Sequence, residues 1–220
     1  MARCTFCGRW GLPFSRNKDG LCGDCAISMA SQRQRLLHAI MTPADLLSSS
    51  RSFRGRLFQC DVIIEHARAL LEYEKKGIAV MTPLPSEIVE KYANVRKQVL
   101  ANGVKEEVET FLQKARQTLP SQSRVAIADE ALLKIYEARK ELGRTPQLDA
   151  LEKEVSLFVN RSQFDSHLET ARNAELKGEK NKALDHYLKA LELLRRDGIV
   201  YSLPEETVLE IQGKVSELRD

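Results

Sequence analysis

The stretch Leu70–Ile78 reads LLEYEKKGI, which is typical of the end of an amphipathic helix that stops at Gly77. Two prolines follow it, and then a new run with apolar residues at helical spacing begins. The same order of helix, glycine stop, proline-containing turn and second helix recurs around Gly143 and Gly198. These units predict helical hairpins. Their irregular spacing leaves open whether they are true repeats or only share local physics.

Helical periodicity continues on both sides of this stretch, from about residue 59 to residue 220, and almost no segment alternates with the period of two that a strand needs. Asn102-Gly103 is predicted to break one pair of helices. The sequence therefore predicts an all-helical body of antiparallel hairpins. The predicted core stripes include Val62, His66, Ala69, Leu70 and Tyr73 in one helix, Val125, Leu132, Leu133 and Tyr136 in another, and Val208, Ile211, Val215 and Leu218 in the last.

The segment 42–58 has a proline at its second position and is rich in serine, which predicts a linker or an exposed loop. We therefore expect three parts: a zinc-binding module with its following helix at 1–41, the linker at 42–58, and an α-helical, repeat-like domain at 59–220.

Four of the five cysteines lie in the first 25 residues as two Cys-x-x-Cys pairs. Fourteen residues separate the pairs, with a predicted turn at Asn17–Gly20 that forms the tip of a short β-hairpin, and the second pair runs into a predicted helix. This spacing is typical of a structural Zn²⁺ site, because a two-residue gap lets one tight turn aim two thiolates at a single ion. The predicted zinc ligands are Cys4, Cys7, Cys22 and Cys25. A site closed by four thiolates leaves no open position for catalysis.

The order Cys-x-x-Cys-Gly, a basic stretch, Lys-Asp-Gly and Cys-x-x-Cys before a helix resembles the zinc-ribbon or treble-clef-like modules at the front of many bacterial proteins. The resemblance covers about residues 3–30. It implies a fold held together by metal and no particular activity. The residues that carry it are Cys4, Cys7, Gly8, Lys18, Asp19, Gly20, Cys22 and Cys25.

The segment Ala171–Leu193, ARNAELKGEKNKALDHYLKALEL, resembles a tetratricopeptide repeat over about residues 164–196. Small Ala171 and Ala183 stand where paired helices approach, and Gly178 stands at the turn. The Trp, the leading Leu-Gly pair and the closing Pro of that family are missing. One repeat cannot bury its apolar face alone, so neighbouring helices must cover it. The expected fold class is mainly α: a tetratricopeptide-like stack of antiparallel helical hairpins with a small N-terminal zinc-binding module.

No phosphate-binding loop, nucleophile elbow or His-Glu-x-x-His motif occurs, and none of the four histidines follows a Glu by three positions. We expect no enzymatic activity and no catalytic or cofactor-binding residues. Cys60 stands apart from the other cysteines, and the sequence leaves open whether it is a buried thiol or a reactive one.

The first 60 residues hold nine Arg and Lys against three Asp, whereas the rest of the chain is net acidic. Two functions remain open. The first is a non-enzymatic adaptor whose helical surface binds a peptide or helix of a protein partner. The alternative is nucleic-acid binding through residues 1–60. Its basic residues are Arg3, Arg9, Arg16 and Lys18 around the metal, with Arg33, Arg35, Arg51, Arg54 and Arg56 behind it. The absence of a long apolar run predicts a cytoplasmic protein with no membrane partner, and the oligomeric state stays open.

Overall fold

Seven helices and two short strands form the described chain in a computed structural model, which describes residues 2–11, 17–119, 121–197 and 205–219. The predicted mainly α fold, a stack of helical hairpins behind an N-terminal cysteine module, is confirmed. None of the described helices has the length and apolar character needed to cross a membrane. The elements are β1 (Ala2–Arg3), β2 (Trp10–Gly11), α1 (Gly23–Ser49), α2 (Phe53–Lys75), α3 (Pro85–Gln117), α4 (Ser121–Leu142), α5 (Pro146–Leu176), α6 (Lys180–Asp197) and α7 (Glu205–Arg219).

The chain divides into two compact units, Met1–Gly103 and Val104–Asp220. The boundary falls inside α3, so the division differs from the predicted one at residues 42–58. Each unit has its own core of buried apolar side chains.

In the first unit, α1 and α2 pack together as a hairpin, and the start of α3 adds Ile88 to the same core. The buried stripe of α2 lies one position away from the predicted one. Ile63 and Ala67 are fully buried, whereas Val62 and His66 are half-buried and Ala69 is exposed. The stripe that the helix buries also includes Leu70 and Tyr73, as predicted, together with Cys60 and Ile64.

The predicted loop at 42–58 is wrong except at residues 50–52. Helix α1 continues through Pro43, which is buried, to Ser49. The hydroxyls of Ser48 and Ser49 donate to backbone carbonyls of the preceding turn, at 2.8 and 3.1 Å, so they do not compete with the helix. Ser52 then caps α2 by accepting from the backbone N–H of Gly55. The serines therefore mark a helix end and a helix start.

The predicted break at Asn102-Gly103 is also wrong, because α3 runs without interruption from Pro85 to Gln117. A Cβ atom at Gly103 would lie 2.2 Å from the Phe53 ring. Glycine is therefore needed here for the close approach of an aromatic ring and not to end a helix. The glycine stops at Gly77 and Gly143 are confirmed, with φ of +70° and +71°. Gly198 lies outside the described residues.

In the second unit, α4, α5, α6 and α7 pack in chain order. Ion pairs and hydrogen bonds between these helices show how the helices run relative to one another. Ser121 reaches Glu169 and Arg139 reaches Asp149, so α4 and α5 are antiparallel. Two ion pairs, Arg172–Glu210 and Lys214–Glu175, show that α7 runs parallel to α5. Helix α6 packs with both of them. The core contains the predicted Ile211 and Val215, together with Phe164, Leu168, Ala171, Ala183, Tyr187, Ala190 and Leu194.

The predicted core face of α4 is wrong at Leu133 and Tyr136, whereas the predicted Val125 and Leu132 are half-buried. Leu133 and Tyr136 are 54% and 46% exposed, and the buried positions include Ala128, Ala131 and Ala138. Small side chains let α4 lie close to α5, with Ile135 as the large residue buried among them. Leu133 is left exposed, and Tyr136 lies at the edge of the contact, where its hydroxyl donates to Glu152 of α5 at 3.1 Å. Periodicity alone favours the largest apolar residues and so selects the wrong face.

We predict that Gly103→Ala destabilises the chain by about 1–3 kcal/mol, the usual effect of overpacking, although alanine is the better helix former. The matched control is Gly213→Ala in α7, where an added Cβ has nothing within 4 Å. That change should stabilise by about 0.5–1 kcal/mol. Urea unfolding of both variants measures the difference, and equal shifts in the two would contradict the contact with Phe53.

Candidate metal centre

The first cysteine pair lies in a tight loop between β1 and β2, which pair antiparallel with Arg3 opposite Trp10. The Cys4 N–H donates to the Arg9 carbonyl at 2.9 Å, and the Gly8 N–H donates to the Cys4 carbonyl at 3.0 Å. Gly8 has φ of +73°, a left-handed conformation that L side chains rarely adopt. The loop thus turns both thiols toward the same side.

The second pair lies at the start of α1, as predicted. Cys22 is the N-cap residue of the helix, and Cys25 lies in its first turn. The partial positive charge of a helix N-terminus favours thiolates at both positions.

A second turn joins the two pairs. The Asn17 side-chain oxygen accepts from the backbone N–H groups of Asp19 and Leu21, at 3.1 and 2.9 Å. Thr5 ties this turn to the first loop, since its hydroxyl donates to the Asp19 carbonyl at 2.9 Å and its N–H donates to the Gly20 carbonyl at 3.2 Å. The predicted turn at Asn17–Gly20 is therefore confirmed, but the described strands flank the first cysteine pair and not this turn.

The sulfur atoms of Cys4, Cys7, Cys22 and Cys25 all lie within 4.8 Å of one another, and those of Cys7 and Cys22 are 3.8 Å apart. An ion with metal–sulfur bonds of about 2.3 Å in tetrahedral geometry separates its sulfurs by about 3.8 Å. All four cysteines are free thiols. The predicted ligands are thus brought together at a spacing that could hold one metal ion.

The thiols differ in their readiness to ionise. Backbone N–H groups of Cys7 and Cys22 lower the pKa of Cys4 to about 6, against the opposing effect of burial. Hydrogen bonding to Cys22, together with burial, raises the pKa of Cys25 to about 12. Since neighbouring thiolates repel one another, the cluster needs a cation to ionise completely.

The cysteine loops pack directly on the helical hairpin of the first unit. Cys4 and Leu21 are buried in the same core as α1 and α2. Phe6 stacks on Tyr73 of α2, with ring centroids 5.0 Å apart and planes 15° from parallel. Lys76 lies 3.9 Å above the Phe6 ring and donates to the Phe6 carbonyl at 3.2 Å. We call Phe6, Tyr73 and Lys76 the aromatic clamp.

The sequence could not reveal this clamp, because Phe6 and Tyr73 are 67 positions apart and neither belongs to a motif. Cys60 is fully buried within α2, away from the helix start, and burial raises the pKa of its thiol. It is therefore unsuited to act as a nucleophile. Trp10 is 67% exposed. Arg16, which the sequence places near the metal, lies outside the described residues.

The described basic residues of the first 60 positions lie along a long helix, at both of its ends and, with Arg33 and Arg35, in its middle. Helix α1 has 27 residues, so it is about 40 Å long at 1.5 Å per residue. Arg3, Arg9 and Lys18 belong to the cysteine loops at its beginning. A second group of basic residues lies at its far end. Arg9 also pairs with Asp24 at 3.8 Å. The residues of the second group are Arg51, Arg54 and Arg56.

No protein-family model matches the chain, and neither the curated proteins nor the solved structures include a significant match to it.

We predict that Tyr73→Ala loosens the cysteine loops, because it removes both the stacking on Phe6 and a buried side chain. The expected loss is about 3–5 kcal/mol in the free energy of unfolding. The control Tyr73→Phe keeps the ring and removes only its hydrogen bond to Gln32, so it should cost about 1 kcal/mol. Hydrogen exchange at the Cys4 amide measures how stably the first cysteine loop is folded. Equal protection in both variants would contradict the claim that the aromatic clamp stabilises this loop.

Proposed function

We propose that this chain is a non-enzymatic adaptor in which a structural zinc site fixes the N-terminal loops on a helical scaffold, and the scaffold binds a segment of a partner protein. The groove between α1 and α2 is the observation that carries the proposal. A cytoplasmic location, where free thiols persist, is part of it.

Zinc is the proposed metal because four thiolates in a compact cluster are its usual structural ligand set. One Cys-x-x-Cys pair lies in a loop between strands and the other at a helix start, which supports a zinc-ribbon or treble-clef-like module. Four sulfurs complete the tetrahedron, so the ion keeps no position for water or a substrate. This supports a structural role and no catalytic one.

The arrangement of α5, α6 and α7 supports a tetratricopeptide-like scaffold. Ala171 and Ala183 are fully buried in the contact between α5 and α6, as that resemblance implies. Helix α7 packs on α6 and is parallel to α5, which is the position of the first helix of a following repeat. Stacks of this kind present rigid side-chain surfaces to peptides.

The groove of the α1–α2 hairpin has a volume of about 380 Å³. Its floor is apolar and none of its lining residues is acidic. Arg35 forms no ion pair within the described residues, so its guanidinium is available to a ligand. These features fit a partner segment that offers apolar side chains and a carboxylate, because a planar guanidinium binds a carboxylate through two hydrogen bonds. The lining residues are Gln32, Arg35, Leu36, Ala39, His66 and Ala69.

The distribution of basic residues favours this adaptor over nucleic-acid binding. A nucleic-acid site needs several cations along one continuous surface. Here the cations at the two ends of α1 are separated by about 40 Å, and Arg33 and Arg35 between them face different sides of the helix. One of the cations at the beginning, Arg9, already pairs with Asp24.

We predict one zinc ion per chain by elemental analysis, and its loss in Cys4→Ser or Cys22→Ser. These variants should lose the structure of the cysteine loops while circular dichroism stays mainly helical, since the metal contributes much of the folding free energy of so small a module. Cys60→Ala is the matched control and should keep its zinc. A metal-free chain with paired cysteines, or one that holds iron, would contradict the zinc proposal.

We predict that the zinc-loaded chain binds an amphipathic helical peptide with Leu and Glu on one face and does not bind the same peptide with Lys in place of Glu. Arg35→Glu should weaken binding at least about tenfold, which corresponds to about 1.4 kcal/mol. Arg33→Glu is the matched control, because a residue two positions away on a helix faces another side. Fluorescence polarisation measures both.

A duplex DNA probe separates the two functions in the same experiment. Binding of the duplex that falls steeply with salt, and is weakened alike by Arg33→Glu and Arg35→Glu, would overturn the adaptor proposal. Equal binding of the acidic and basic peptides would overturn the assignment of the groove.

A further inference from the structure

Two histidines face each other between α5 and α6, outside the cysteine cluster and the α1–α2 groove. The Nδ1 atoms of His167 and His186 are 3.0 Å apart. The ring centroids are 5.3 Å apart, with planes tilted by 45°. The two nitrogens therefore point at each other across a hydrogen-bond distance.

This contact restricts the number of protons that the pair can hold. A neutral imidazole carries its proton on one of two nitrogens, so one ring must be the Nδ1–H donor and the other must offer a bare Nδ1 as acceptor. One additional proton, placed on an Nε2 atom, leaves this hydrogen bond intact. A second additional proton would set two N–H groups against each other and place two positive rings in contact.

The groups around the two histidines do not stabilise the pair when both rings are positively charged. His167 and His186 are both half-buried, and the open side of His167 is lined by uncharged residues: Gln122 and Val125 of α4, with Gln163 and Ser166 of α5. The charged groups that act on the pair are Asp185 and Lys189 of α6. They are paired with each other at 2.7 Å, so the carboxylate is already engaged by an ammonium group.

We propose that His167 and His186 form an acid-sensitive latch on the α5–α6 hairpin, closed while one proton is shared between the Nδ1 atoms and opened when both rings are protonated. The contact joins the two helices near the middle of their packed length, 11 residues before and 8 residues after Gly178. The latch does not depend on the proposed partner or on the metal.

The direction of the pH effect follows from the same contacts. Burial, His186 and Lys189 lower the pKa of His167 from its ordinary value, with Asp185 acting weakly in the opposite direction. The unfolded chain then binds more protons than the folded chain just below pH of about 6.5. The free energy of unfolding therefore falls as pH decreases through this range, and the loss is complete below the lowered pKa.

A double-mutant cycle on the full-length, metal-loaded chain tests the latch. It uses His167→Gln, His186→Gln and the double variant, with hydrogen exchange of α5 and α6 amides measured at pH 7.5 and 5.5. When the pH is lowered from 7.5 to 5.5, the opening constant of the wild-type chain should rise more than that of the double variant. The difference should be about tenfold for each unit by which the pKa of His167 is lowered in the folded chain. His38→Gln, on an exposed residue of α1, is the control and should respond as wild type does.

Nitrogen NMR of the wild-type imidazoles provides a test that does not depend on any variant folding. At pH 7.5 one of the two rings should be the Nδ1–H tautomer and the other the Nε2–H tautomer. Two Nε2–H tautomers, or a coupling between the residues that is the same at both pH values, would overturn the proposal. The same acid response in the double variant as in wild type would also overturn it.

Discussion

Close approach of helix backbones is the constraint on which the helical units depend. Helices come near enough to exclude water where small side chains meet, and fully buried alanines occupy these contacts in both units. Where α4 lies on α5, this places alanines and Ile135 inside and leaves Leu133 and Tyr136 exposed. At Gly103 the same requirement removes even the Cβ atom, so that the Phe53 ring can lie against α3.

The N-terminal loops follow a different principle, because they are too short to bury a core of their own. Four thiols that could share one ion join them to the start of α1, and the aromatic clamp holds them on α2. The clamp makes the loops an extension of the first hairpin and not a separate module on a tether. In the adaptor that we propose, the metal site and the groove thus belong to one compact unit.

The groove and the histidine latch both lie between two packed helices, but the groove holds a polar group without an ion-pair partner among the described residues, whereas the polar groups of the latch bind each other. Between α1 and α2 the polar groups that line the groove include Arg35, which has no ion-pair partner among the described residues, so the surface is suited to a ligand. Between α5 and α6 two polar groups satisfy each other, so the contact responds to protons. In our proposals the first unit recognises a partner and the second changes with pH.

The sequence by itself determined the helical class, the four cysteines that come together and the stops at Gly77 and Gly143. Each of these depends on chemistry within a few neighbouring residues: periodicity, Cys-x-x-Cys spacing and positive φ. Tertiary structure decided which face of α4 is buried, that residues 42–49 continue a helix, that Phe6 meets Tyr73, and that His167 meets His186. These outcomes depend on which surfaces approach one another, and residues far apart in the chain leave no local pattern that encodes such contacts.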